Sequence, residues 1–369
     1  MKILVTGAKG FIGKNLIAEL TNIGYGDIFQ VSRDTDWNLL DKYTNECDFV
    51  FHLAGVNRPE KEEEFMKGNV YFTFQLLELL KKNKNKAPVL MTSSIQAEQD
   101  NPYGKSKKAG EEMIFNYGKQ IGSKVYVYRL PNVFGKWSKP NYNTVVATYC
   151  YNIARNIDIQ INNPDAQLTF CYIDDVIKEF VSILNNQISS EEKIQKITKD
   201  YHITLGDLAK TIKSFKESRN DLMVPDMENE LTKKLYSTYL SFLPEDNFSY
   251  DLKMNIDQRG SFTEFIKTPD RGQVSINVSK TGITKGNHWH HTKNEKFLVV
   301  SGKGQIRFRK LDSEEIIEYN VTGDKLQVVD IPTGYTHSIV NTGETDLVTV
   351  MWANELFDQD NPDTYYVEV

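Results

Sequence analysis

The chain has 369 residues, a quarter of them charged and 40% hydrophobic, the balance of a folded protein with room for two separate cores. A formal net charge of −6 excludes a general binder of the nucleic-acid backbone, which needs clustered basic charge. No apolar run approaches the ~20 residues that cross a bilayer, so neither a nucleic acid nor a membrane is expected as partner.

The opening "MKILVTGAKGFIG" lacks the long apolar core and cleavage site of a secretion signal. Three widely spaced cysteines, Cys47, Cys150 and Cys171, form no CxxC and read as reduced packing thiols, which places the protein in the cytoplasm. From Met1 to about Leu243, short β-type runs ("KILVTG", "FVFHLAG", "PVLMTSS", "KVYVYRL") alternate with helical patterns such as "GNVYFTFQLLELLKKNKNK". That alternation predicts an α/β Rossmann-type fold, a doubly wound parallel sheet covered by crossover helices.

"VTGAKGFIG" sets Gly7, Gly10 and Gly13 between a strand and a helix that begins at Phe11 and Ile12. Missing side chains let the backbone approach a pyrophosphate, and the helix N-terminus offers free N–H groups. The second strand ends in "FQVSRDT", where Ser32 and Arg33 stand in place of an acidic group; a guanidinium suits a 2′-phosphate, so the cofactor is read as NADPH. His52, alone at a strand end, reads as a packing residue. In "MTSSIQA", Ser93 or Ser94 could hydrogen-bond a substrate oxygen. "NPYGKSKKAGEEM" puts Tyr103 and Lys107 four apart on one helix face, where an ammonium is expected to lower the phenol pKa and let it pass a proton at neutral pH.

After "LPEDNFSYDL" the period changes. From about Gly260, runs such as "GQVSINVSK", "GQIRFRK" and "DLVTVMW" alternate apolar with polar residues between turn signals, predicting an all-β sandwich or barrel. The boundary falls near residues 244–250, giving domains 1–243 and 244–369. In "GITKGNHWHHTKNEKFLVVSG", half of the six histidines lie within four positions. His288 and His290 share a face of an extended strand, Glu295 can return on the next, and His337 in "PTGYTHSIVN" can come from a distant one. Three imidazoles and a carboxylate suit Zn²⁺, Fe²⁺, Mn²⁺ or Ni²⁺. His291 points the other way.

The motifs "TGAKGFIG", "FHLAGV", "TSS", "YGKSK", "RLPNVFG" and "FCYIDDV", in this order, resemble the extended short-chain dehydrogenase/reductases that act on nucleotide sugars, over about the first 240 residues. The resemblance implies Tyr103 as acid/base, Lys107 as its partner and a nicotinamide-ribose contact, and Ser93 or Ser94 as third member. It also implies Asn38 and Leu39 near the adenine, Leu53, Ala54 and Gly55 flanking the cofactor, and Asn132 beside the substrate. Only eight residues separate Ser94 from Tyr103, fewer than usual in that family, so the substrate-side loop is trimmed.

Gly282, His288, His290, Glu295 and Gly302 match the first cupin motif, and Pro332, Gly334, His337 and Asn341 the second. "DQRGSFTEF" and "QVSINVSKTGITKGNH" further resemble the dTDP-4-dehydrorhamnose 3,5-epimerases. That likeness implies that Arg259 and Glu264 hold the nucleotide diphosphate, that Gln273 and Asn277 line the pocket, and that Lys285 neutralises phosphate or enolate. The epimerase base falls on His288; because those enzymes use no metal, His288 keeps two roles, ligand or base.

Over its whole length the chain resembles bifunctional bacterial capsule-synthesis enzymes that join such a reductase to a C-terminal cupin. This implies a UDP-2-acetamido-2,6-dideoxy-4-hexulose substrate, C3 epimerisation in the cupin, and NADPH reduction at C4 to a UDP-N-acetyl-L-talosamine-type sugar on the way to N-acetyl-L-fucosamine. Zinc and a homo-oligomer, a dimer or larger, are implied as well. Two other readings stay open: a monofunctional nucleotide-sugar 4-ketoreductase whose cupin serves structure or oligomerisation, and a regulatory binder of NADP.

Overall fold

The computed structural model describes residues 1–142, 144–185 and 194–369. The chain divides into two compact units, Met1–Lys213 with Asn229–Pro244, and Ser214–Glu228 with Glu245–Val369.

The first unit is built on the apolar runs β1 (Ile3–Thr6), β2 (Ile28–Val31), β3 (Phe49–His52), β4 (Val89–Ser94) and β5 (Val125–Leu130). After them come β6 (Asn132–Phe134), β7 (Gln167–Tyr172), β8 (Ile194–Gln195) and β9 (Tyr201–Thr204). The main sheet has the order β2-β1-β3-β4-β5-β8 with every neighbouring pair parallel, and β6, β7 and β9 form a second, smaller sheet.

Alternation along each strand feeds two cores. Ile3 and Val5 pack with Leu16, Leu20, Phe51 and Phe180, whereas Leu4 packs with Val50, Leu76, Leu80 and Ile114 on the other face. Helices Phe11–Asn22 and Ile173–Leu184 therefore cover one side, and Phe72–Lys82 and Pro102–Ile121 the other. This is why these runs are apolar throughout rather than alternating. With β2 on one flank of β1 and β3 on the other, the loops after β1 and β3 flank the crevice where strand order reverses, the usual ligand position of such sheets.

The second unit is antiparallel. Its strands are β10 (Met254–Asp257), β11 (Gly260–Thr268), β12 (Gly272–Ser279), β13 (Thr284–Trp289), β14 (Glu295–Ser301), β15 (Lys303–Lys310), β16 (Ile316–Thr322), β17 (Val328–Ile331), β18 (Tyr335–Asn341), β19 (Leu347–Ala353) and β20 (Tyr365–Tyr366). They form sheets of order β10-β11-β12-β19-β14-β17 and β16-β15-β18-β13-β20, the cupin-like sandwich that the alternating runs predict. Phe297, Val299, Ile306, Phe308, Ile331, Ile339 and Leu347 fill the space between the sheets. Residues 214–228 group with this unit: the N–H of Val224 bonds the Lys267 carbonyl, and the N–H of Lys267 bonds the Leu222 carbonyl.

Phe51 is fully buried and stacks its ring near those of Phe49 and Phe180. Phe51→Ala should cost about 3–5 kcal/mol of the first unit's stability, read by urea denaturation. A loss below about 1 kcal/mol would mean that the core is not packed around this ring.

Candidate functional site

The glycine loop is held by close approach. Gly7 has φ +69°, and a side chain there would meet the Ala54 nitrogen at 2.8 Å; one on Gly13 would lie 2.2 Å from the Gly7 carbonyl oxygen. Helix Phe11–Asn22 starts from Gly10 with no side-chain cap, so N–H groups of its first turn, including Phe11 and Ile12, remain free for an anion. Leu53, Ala54 and Gly55 leave β3 beside this loop, and the Ala54 N–H donates to Thr6 Oγ1 at 3.2 Å. Arg33 is exposed in the turn after β2, where Ser32 N–H bonds Thr35 Oγ1; next to it Lys9, from the loop, pairs with Asp34 at 3.0 Å. Asn38 and Leu39 are exposed in the first turn of helix Trp37–Glu46, capped by Asp36.

Helix Pro102–Ile121 begins on Asn101, whose Oδ1 accepts the Gly104 N–H, and presents Tyr103 and Lys107 together. The two serines part company. Ser93 Oγ donates to Glu111, which is itself held by Arg129 at 2.7 Å, whereas Ser94 Oγ accepts the Gln96 N–H at 3.2 Å and lies on the side of the Tyr103 phenol, whose pKa it pulls down. Neighbours on a strand face opposite ways, so only one could meet the phenol. Lys107 is buried, donates to the Thr92 carbonyl at 3.2 Å, and has its Nζ against Gly55 and 6.0 Å from the Tyr103 ring centre. One expectation fails here. Burial pushes the Tyr103 phenol above its ordinary value, with the Ser94 bond pulling weakly the other way and no lowering by the ammonium. His52 is a satisfied packing residue, bonded through both ring nitrogens to Thr6 and Thr73 and pushed down to about 3 by burial. Asn132 lies exposed on β6, its amide donating to the Thr169 carbonyl.

In the second unit, His288, His290, Glu295 and His337 each offer one ligand atom, all within 4.8 Å of one another. β13 pairs with β18 so that His288 opposes His337, with a one-residue irregularity between Gly286 and His288; β14 brings in Glu295. Glu295 Oε2 is 3.6 Å from His290 Nε2 and 3.4 Å from His337 Nε2, and none of these buried atoms has a hydrogen-bond partner. Burial holds the His288 imidazole down to about 4. Burial would raise the Glu295 carboxyl, but His290 and His337 hold it down at about 2. Three imidazoles and a carboxylate whose buried nitrogen and oxygen atoms lack partners among the described residues make a donor set that fits a divalent cation. His291 is exposed and packs on Trp289 and Tyr365, away from the cluster.

All four ligand candidates line a cleft of about 850 Å³, and so do Arg259, Glu264, Gln273, Asn277 and Lys285. Lys285 donates to Asn277 Oδ1 at 2.8 Å and to the Val278 carbonyl at 2.9 Å, and burial lowers its pKa. Arg259 forks onto Asp257, Glu264 pairs with Lys267 at 2.9 Å, and Gln273 Oε1 accepts the Phe357 N–H.

Comparison with known proteins now bears on these sites. The description "NAD dependent epimerase/dehydratase family" matches residues 3–197, more than half of the chain. The chain belongs to this family. Residues 255–365 match "Polysaccharide biosynthesis C-terminal domain". A Pseudomonas aeruginosa protein described as UDP-2-acetamido-2,6-beta-L-arabino-hexul-4-ose reductase is 48% identical over 369 residues, covering 100% of this chain and 99% of that one. The crystal structure of the capsular polysaccharide assembling protein CapF from Staphylococcus aureus superimposes with a TM-score of 0.95 at 56% identity, covering both chains fully. The whole-length resemblance to capsule-synthesis proteins read from the motifs is thereby shown. A UDP-glucose 4-epimerase from Thermotoga maritima, 21% identical over 66% of this chain and 98% of that one with a TM-score of 0.56, shares the fold of the family unit.

Some site residues escape sequence reasoning. Asn69, buried inside the helical run of the family unit, donates to the Val56 carbonyl and Ser106 Oγ and accepts the Val56 N–H, pinning the chain beyond Gly55. A lone Asn in an apolar helical stretch was the available signal. Lys293, Glu355 and Thr364 also line the cleft, with Lys293 Nζ bonded to the Pro362 carbonyl; nothing local in the sequence marks them.

Burial lowers the Lys107 ammonium to about 8, with Glu111 pulling it up, against an ordinary 10.5. Between these values the unfolded chain holds a proton that the folded chain releases, so this group's contribution to stability rises with pH. Lys107→Met should flatten the pH–stability curve over that window, measured by urea denaturation at stepped pH. An unchanged slope would mean that the ammonium is not desolvated.

Proposed function

We propose that this protein is a UDP-sugar reductase and epimerase of capsule nucleotide-sugar synthesis: the β-sandwich inverts C3 of a UDP-2-acetamido-2,6-dideoxy-4-hexulose and the family unit reduces C4 with NADPH, giving a UDP-N-acetyl-L-talosamine-type sugar. The observation that carries the reading is one chain holding both a Tyr103–Lys107–Ser94 group and a four-ligand cluster that opens into a polar cleft. The P. aeruginosa relative's name as a hexul-4-ose reductase supports the C4 step.

When bound, NADPH along the glycine loop supplies hydride, and a divalent cation, read as Zn²⁺, held by His290, Glu295, His337 and His288 supplies Lewis acidity. A ketone at C4 makes the C3 proton removable, since the charge left behind spreads onto oxygen. Lys285, lining the cleft, provides positive charge for that oxygen or for phosphate. His288 is neutral at pH 7, as either of its roles requires, and its place among the other three ligand atoms favours ligation. Reprotonation from the opposite face inverts C3.

In the family unit, Tyr103 gives its proton to the C4 oxygen as hydride reaches the carbon. A phenol raised by burial is fully protonated at pH 7, the state a donor needs. Ser94 orients it, and Lys107 supplies the charge that stabilises the phenolate left after transfer. Reduction removes the ketone and with it the acidity at C3, which traps the inverted product. A scaffolding role for the cluster is the weaker reading, because a structural metal is normally closed off whereas these four residues border the cleft.

With a UDP-4-keto-6-deoxy sugar in D₂O and no NADPH, NMR should show deuterium entering C3 with the wild type and with Tyr103→Phe, but not with His290→Ala. Exchange that depends on Tyr103 would move the proton chemistry into the family unit. Tyr103→Phe should slow NADPH oxidation by roughly 10²–10⁴-fold. Arg33→Ala should raise the KM for NADPH by about tenfold while leaving that for NADH unchanged, as expected for loss of one charge-assisted phosphate contact; equal effects on both would rule out Arg33 as the 2′-phosphate contact.

A further inference from the structure

We propose that Asp363 is a positioning residue of the histidine and glutamate cluster, acting from a stretch of chain outside both metal-binding motifs. The inference rests on the metal reading above. Residues 362–369 fold back along β13: Tyr366 pairs with His288, Tyr365 with Trp289, and the Val367 N–H donates to the Asn287 carbonyl. Within this stretch Asp363 makes two kinds of contact, one through its backbone and one through its side chain.

Its carbonyl oxygen lies 2.6 Å from His290 Nδ1. A carbonyl has no proton to give, so Nδ1 must carry the hydrogen, which leaves Nε2 as the ring atom able to offer a lone pair. That Nε2 is the buried, unpartnered atom facing Glu295. The carboxylate meanwhile caps the turn between the strand of His288 and the strand of Glu295. Oδ1 accepts the His291 N–H at 3.0 Å; Oδ2 accepts the N–H groups of Thr292 at 2.9 Å and Lys293 at 2.8 Å, with Thr292 Oγ1 at 3.2 Å. The residue sits at φ +40°, in the left-handed region that aspartate enters more readily than most side chains do. Its neighbours anchor it, the Pro362 carbonyl and Thr364 Oγ1 both taking Lys293 Nζ.

One residue therefore fixes the tautomer of His290 directly and the approach of Glu295 through the turn. A purely structural cap would stabilise the fold but leave ring protonation and metal affinity alone. The two are separable by measuring apo and metal-loaded protein in parallel.

In the full-length apo protein, ¹⁵N-histidine NMR should find His290 solely as the Nδ1–H tautomer, and Asp363→Ala, which keeps the backbone carbonyl but loses the carboxylate contacts that hold it against the ring, should give a mixture. Zinc affinity, measured by competition with a chromophoric chelator, should fall about 10–100-fold in Asp363→Ala and by a smaller factor in Asp363→Asn, which keeps one side-chain acceptor oxygen for the turn; both variants keep the backbone carbonyl. Arg309→Met, which loses bonds to the Ser313 and Glu368 carbonyls and none to residue 363, should bind zinc as the wild type does. Asp363→Ala and Asp363→Asn both retaining a single tautomer and zinc affinity within twofold of wild type would overturn the proposal, whatever happens to Tm. Should Asp363→Ala not fold, unchanged tautomer and affinity in Asp363→Asn would overturn it alone. A wild-type chain that binds no zinc would instead overturn the metal reading.

Discussion

Four metal-seeking side chains lie close together, and three of them carry buried polar atoms that no group among the described residues satisfies. Leaving such an atom unpaired costs about 1–3 kcal/mol, and here His290 Nε2, Glu295 Oε2 and both ring nitrogens of His337 are in that condition at once. A sandwich core of Phe297, Ile306, Phe308 and Ile339 adjoins them and supplies the apolar contact that holds the strands in place regardless. The second unit thus carries a cost that a bound cation would relieve, beside a cleft that the same four residues line.

The family unit solves a related problem differently. Lys107 is a cation brought into the interior, its Nζ bonded to the Thr92 carbonyl and lying over the Tyr103 ring, with Glu111 exerting a longer-range pull. Glu111 is occupied elsewhere, forked onto Arg129 and bonded by Ser93. The ammonium is left without a direct carboxylate partner, so its charge is available to whatever negative charge arises on the phenol. In both units a poorly compensated group sits at the place where a transition state would compensate it.

Much of this was legible in the chain itself. Backbone chemistry is local: Gly7, Gly10 and Gly13 announce a close approach because only glycine fits there, and alternation from Gly272 to Ser279 announces a half-buried strand because side chains alternate. The histidine cluster was legible because His288 and His290 share a face by spacing alone. What stayed hidden depends on what lies across from a residue. Ser93 and Ser94 are chemically identical neighbours, distinguished only by Glu111 on one side and Tyr103 on the other. The sense of the Tyr103 shift depends on desolvation, which a spacing rule does not contain. Asp363 meets its partners about seventy positions away in sequence, and Leu222 and Val224, just past the helix that ends at Asp221, pair beside Lys267, neither of which periodicity can express.

The irregularity in β13 has a consequence of parity. Gly286 stands opposite Ser338 while His288 stands opposite His337, so Asn287 is a supernumerary residue in the ladder. Were the ladder regular, Asn287 would oppose His337 and His288 would oppose Thr336, which lies on the other face of the sheet. His288 shares a face with His337 because one amino acid that offers no ligand atom is accommodated out of step between them.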